Sequence, residues 1–161
     1  MAMYNVKEFA AYINDIYFNN FNKKISPVRL QKTLYFCFAY WGSFVRKGKT
    51  LQDSDKQEID VTNYDEYLFN ARFEAWIYGP VIPEVYHEQN IERYYKENLI
   101  KDEFVMEYID DLLEDINSVS DFRLVDISHK DQAWINSFDF NEENHSREIN
   151  KDDIISEYIQ R

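Results

Sequence analysis

The 161 residues are 45% hydrophobic and 30% charged, a balance that belongs to a folded, soluble chain and excludes a disordered one. A net charge of −12 repels phosphate backbones. It therefore argues against direct binding of DNA or RNA, and suits either a basic protein partner or plain solubility. Cys37 is alone, which excludes an intramolecular disulfide, and no apolar run approaches the roughly 20 residues that cross a bilayer.

Aromatic residues reach 17%, while Gly and Pro number only 3 each, as in a helical protein with few tight turns. The opening MAMYNVKEFAAYINDIY interrupts its apolar residues with Lys7, Glu8 and Asp15 and so lacks the core of a signal peptide. Cytoplasm is the expected compartment. From Tyr4 to about Asn19, Val6, Phe9, Ala10, Ile13, Ile16 and Tyr17 recur at helical spacing, and Asn19, Asn20 and Asn22 break the pattern.

SPVRLQKTLYFCFAYWGSFVRKG predicts the next helix, with Ser26 as N-cap and Pro27 at the first helical position. Leu30, Leu34, Phe38 and Trp41 mark its inner face, and Tyr35, Phe36, Tyr40 and Phe44 fill most of the remaining circumference. A helix apolar nearly all round belongs in the middle of a bundle. Lys47, Gly48 and Lys49 are expected to end it. Residues 50–66 read as a long acidic loop carrying Asp53, Asp55, Glu58, Asp60, Asp65 and Glu66. In YLFNARFEAWI, alternation at Phe69, Ala71, Phe73 and Ala75 favours an extended or hairpin element, although Phe69, Phe73 and Trp76 also fit a helix.

Pro83 is expected to open a helix over PEVYHEQNIERYYKE. Further helices are predicted over 102–117 and over 120–129 with Ser120 as cap, then a turn or short helix at AWINSF. NEENHSRE reads as a loop, and a last helix follows, capped by Asn150 with Asp153 completing a capping box. No internal repeat or linker divides the chain, so residues 1–161 read as one domain. The fold class expected is mainly α, a helical domain around a buried central helix with a small extended or β-hairpin element.

The corner WIYGPVIPEVY combines Gly79, which tolerates positive φ, with Pro80 and Pro83, which leave the backbone few soft dihedrals. Such a corner orients the following helix at low entropic cost. LQKTLYFCFAYW followed by FEAWIYGPVIPEVY resembles the Panacea domain family, also called SocA-like or phage-associated GepA-like proteins. DFRLVDISHKDQAW and EINKDDIISEYI are similar to the family's later segments. Thr33 stands where the family usually carries leucine, and the acidic stretch is longer than its usual connection. The matching motif positions are Leu30, Gln31, Lys32, Leu34, Tyr35, Trp76, Gly79, Pro80, Val81, Pro83, Tyr86, His129 and Trp134.

The resemblance implies an antitoxin that binds and neutralises a separately encoded toxin, in some members as an adaptor that delivers it to a protease. It implies no catalytic residue set and does not identify the toxin. Partner-binding candidates are Gln31 and Lys32, read otherwise as a helix amide bonding a neighbouring loop and a solvent-reaching lysine, Tyr78 and Tyr86 as aromatic anchors, and the acidic residues of 50–66 for steering a basic partner. Trp76 and Trp134 read as core. Cys37 reads as a small buried hydrophobe, and a Cys37-dependent hydrolase finds no local support. The three histidines lack metal-ligand spacing, so no cofactor or metal is expected. The alternative to an antitoxin is a phage or mobile-element inhibitor whose acidic surface occupies a host enzyme's nucleic-acid groove.

Overall fold

The all-round apolar helix is the axis of the molecule. The computed structural model describes residues 2–50, 60–88, 100–141 and 147–161. Its longest element, α2 (Pro27–Thr50), is buried without interruption from Gln31 to Ala39. Ser26 caps it as expected, accepting from Arg29 N at 3.0 Å while donating to Asp121 at 2.7 Å. The helix runs past its predicted end. Gly48 is buried inside it, and Thr50 closes it by donating its hydroxyl to Arg46 O at 2.9 Å.

Around this axis lie α1 (Val6–Phe21), α3 (Pro83–Tyr86), α4 (Glu103–Ile116), α5 (Asp121–Ser128), α6 (Gln132–Ser137) and α7 (Lys151–Ile159). Small strands complete a mainly α fold: β1 (Tyr4–Asn5) pairs in parallel with β2 (Phe69–Asn70), while β3 (Phe73–Trp76) is the centre of an antiparallel sheet between β4 (Gly79–Val81) and β5 (Arg147–Ile149). The hairpin reading of YLFNARFEAWI therefore holds for β3 and its partner β4, in the register Glu74 to Val81 and Trp76 to Gly79. Part of the stretch read as a loop instead forms β5, because Phe73, Glu74 and Ala75 offer Arg147–Ile149 a pairing edge.

Caps fix the helix ends by local chemistry. Asn5, Asp102, Ser120 and Asn150 each accept a backbone N–H of their helix's first turn, so the caps predicted at Ser120 and Asn150 are present. α1 continues two residues beyond Asn19 and stops at Asn22, which takes the left-handed conformation (φ 54°) that asparagine tolerates better than most. The helix expected from Pro83 is only four residues long before His87 turns away, and the rest of that expectation, at 89–99, lies outside the described residues.

The aromatic excess becomes core. Rings run in a chain from Phe9 through Phe69, Phe38 and Phe73 to Tyr35, with successive centroids 5.0 to 5.9 Å apart. Trp41 centres a second cluster with Tyr64, Phe104 and Tyr108, and its Nε1 donates to Asp65 O at 2.9 Å. Leu34, Phe38 and Trp41 are fully buried, as expected, whereas Leu30 is only half-buried at the rim of a groove. α7 lies close along α2 because Gly42 lets it: a Cβ there would stand 2.6 Å from Ile155 Cγ1. One polar cluster joins three helices: Asp131, fully buried, accepts from Tyr35 and Tyr158 at 2.5 and 2.6 Å and pairs with Arg161 at 3.0 Å.

Candidate functional site

The corner docks on the central helix through two side chains. Gln31 reads both polar groups of Ile82: its Oε1 accepts from Ile82 N at 2.8 Å and its Nε2 donates to Ile82 O at 3.1 Å. Lys32 reaches one turn of chain further and donates Nζ to Pro80 O at 2.9 Å. Both are buried, Lys32 to 1% exposure. This corrects the expectation of a solvent-reaching lysine, while Gln31 is the helix amide that bonds a neighbouring stretch of chain. A backbone turned into a proline-framed corner leaves N–H and C=O groups that its own strand does not satisfy, and an amide and an amine from the helix satisfy them. Burial alone pulls the Lys32 ammonium down to about 8, and no carboxylate pairs with it among the described residues.

Gly79 makes the fit possible. Its φ of +109° is closed to most side chains, and a Cβ would lie 2.5 Å from Ser128 Oγ and 3.1 Å from Lys32 Cε. Pro80 sits in an edge strand, the place in a sheet where its missing N–H is tolerated. From the other side, Trp134 Nε1 donates to Trp76 O at 2.8 Å, and His129 Nε2 stands 2.9 Å from Ile77 O, a contact that requires the proton on Nε2. Trp134 is buried and packs against the tilted His129 ring at 4.4 Å, while Trp76, expected in the core, is half-buried with its ring edge-on to Tyr86 at 5.0 Å.

So held, the corner presents apolar groups outward. Ile77 and Tyr78 form the two-residue tip of the β3–β4 hairpin and are 56% and 66% exposed, and Tyr86 on α3 is 55% exposed. Beside α3, a groove of about 750 Å³ opens towards the first turns of α2, walled by Pro27, Leu30, Val85 and Tyr86. Exposed apolar side chains on a backbone this constrained would lose little further entropy on docking.

The acidic residues are elsewhere. Asp65 accepts from Tyr67 N at 2.8 Å, and Glu66 forks onto Arg46 at 2.7 and 3.2 Å, so both are structural in part. Arg46 is 15 residues beyond Gln31 on α2, which separates the two sets by about 22 Å along the axis at 1.5 Å per residue. Asp60 is exposed and bonds Thr62, which lowers its carboxyl below the ordinary range. Asp53, Asp55 and Glu58 lie outside the described residues. Sequence reasoning did not single out Ile77 as exposed, nor the Asp131 cluster. A hydrophobe at a hairpin tip carries no signal until the two-residue turn is known.

Cys37 is fully buried among core residues, and burial pushes its thiol far up, the reverse of an activated nucleophile. No group of three or more metal-ligating side chains gathers among the described residues. No helix there is long and apolar enough to cross a membrane.

The class defined by this fold and site is a mainly α protein built around a clamped, aromatic-fringed corner. The family model described as antitoxin SocA-like, Panacea domain, matches residues 54–135, from before β2 into α6 with the whole corner inside it, and the chain belongs to that family. The matched residues leave out α2, which supplies the clamp, and α7. No curated protein and no solved structure matches the chain.

Proposed function

We propose that this chain is the antitoxin of a toxin–antitoxin pair and neutralises its toxin by direct, stoichiometric binding in the cytoplasm, without a reaction of its own. Membership of the SocA-like antitoxin family carries this reading. The exposed Ile77, Tyr78 and Tyr86 on a rigid frame support it by supplying anchors of the kind that dominate protein interfaces. The net charge of −12 supports a basic partner and a fast, salt-sensitive encounter. Whether the bound toxin is merely covered or is passed to a protease changes its fate, not the need for the complex.

Coexpression with the product of the neighbouring gene tests it. Growth arrested by that product is restored by the wild-type chain and not by Ile77→Asp/Tyr78→Asp, whose substitutions sit in solvent and leave the fold intact. A neighbouring product that is harmless, or harmful regardless of this chain, overturns the reading. The same charge favours a second reading, an inhibitor seated in the phosphate groove of a host nucleic-acid enzyme; it predicts binding to a purified nuclease that DNA competes away.

A further inference from the structure

Away from the corner, α1 and α4 enclose a second groove of about 500 Å³. Ile16, Phe21 and Leu113 make its apolar surface, and Asp110 and Glu114, one helical turn apart, stand along one rim. Phe18 and Phe21 are 52% and 44% exposed at the end of α1, so the apolar surface continues outside the groove. The rim belongs to a helix of one sign: α4 carries Glu103, Glu107, Asp110, Asp111, Glu114 and Asp115 and neither Lys nor Arg. Among the described residues neither Asp110 nor Glu114 has an ion-pair partner, and partial burial beside Asp111 raises the Asp110 carboxyl. Arg29, the cation that enters from α2, is held by Asp121, Ile116 O and Val119 O and is not available to the rim.

Inward of the groove, Ile13, Ile16, Leu113, Asn117 and Thr33 line a separate void with no room for a water molecule, so the buried Thr33 hydroxyl is out of a ligand's reach. Apolar walls and an acidic rim without an ion-pair partner among the described residues are two features that one ligand chemistry satisfies.

We propose that the α1–α4 groove docks a basic segment of a protein partner, an apolar side chain entering between Ile16 and Leu113 and flanking Lys or Arg residues pairing with Asp110 and Glu114. The proposal rests on the antitoxin reading only for naming the toxin as the owner of that segment. The charge complementarity is local, since the rim is uniformly acidic where the corner's fringe is aromatic.

Two arms test it separately. In the first, ¹⁵N-labelled full chain is titrated with a synthetic twelve-residue peptide of Lys and Arg around a central Leu-Trp pair, and with the same peptide carrying Glu for Lys and Arg. Expected are shifts concentrated at residues 16–21 and 110–118 for the basic peptide alone, and at least tenfold weaker binding by Asp110→Lys/Glu114→Lys, whose positions are exposed and whose fold is checked by circular dichroism. Shifts spread over every acidic surface, or equal binding by the charge-reversed variant, overturn the proposal. In the second arm, the charge-reversed variant is coexpressed with the neighbouring toxin, and loss of rescue is expected. Full rescue overturns the toxin as occupant. If the wild-type chain itself gives no rescue, the antitoxin reading has failed, and the peptide arm alone decides the groove.

Discussion

Lys32 gives the account a quantitative handle, because its ammonium is buried against a single carbonyl. Its proton is held less tightly in the folded chain, at about 8, than the 10.5 of a free lysine. Between those values the unfolded chain binds one proton more than the folded one, so stability rises with pH. Below about 8 both states are charged and the folded state carries the full desolvation penalty; above 10.5 both are neutral and the penalty is gone. The whole interval corresponds to about 3 kcal/mol, and the part between pH 7.0 and 9.5 to about 2 kcal/mol. Tyrosines titrate near the upper end, so the informative quantity is a difference of differences. Urea unfolding of the wild type and of Lys32→Met at the two pH values is expected to show the wild type gaining about 2 kcal/mol on the variant as pH rises. Lys32→Met loses the bond to Pro80 O at every pH, which sets the offset and not the slope. A gap between the two proteins that is constant over the interval would refute the buried, unpaired placement of the amine.

Three further outcomes follow from the same contacts. Gly79→Ala places a Cβ 2.5 Å from Ser128 Oγ at a φ of +109° and is expected to destabilise by about 2–4 kcal/mol, with Gly79→Ala/Ser128→Ala recovering only part because the backbone strain remains, as thermal unfolding will show. Asp131→Ala leaves the buried Tyr35 and Tyr158 hydroxyls without their shared acceptor and Arg161 with Glu157 alone, and is expected to lower stability by about 3–5 kcal/mol, measured as the urea midpoint. Native Cys37 is expected to resist a thiol reagent at pH 8 on the timescale on which the urea-unfolded chain reacts at once, and Cys37→Ala to retain full toxin rescue; rapid native labelling would contradict its burial.

Much of the helical frame was legible because it rests on local chemistry. Ser26 with Pro27, Ser120 and Asn150 announce helix starts through their own side chains, and the ring of apolar residues on α2 announces burial on every side. What was not legible was tertiary. Lys32 read as a solvent-reaching lysine because its sequence neighbours do not show that a glycine-proline backbone will approach it from 48 residues away. β5 was hidden because three residues, Arg147–Ile149, carry no alternation of their own and become a strand only against β3. At the candidate site, Tyr78 and Tyr86 were named from the sequence and both are exposed, while the exposure of Ile77 was not legible, since exposure of a hydrophobe is set by turn geometry. The acidic residues were legible as a charge run, but not that Asp65 and Glu66 are tied to Trp41, Arg46 and Tyr67.

The claim at the centre is that the molecule acts by adhesion to a partner and not by turnover. A fixed amount of the purified neighbouring toxin, titrated with this chain and assayed for its remaining activity after several incubation times, tests it most directly. Binding predicts a linear loss with a break at a fixed whole-number ratio, unchanged by longer incubation. Progressive inactivation of excess toxin by a small fraction of the chain would contradict it.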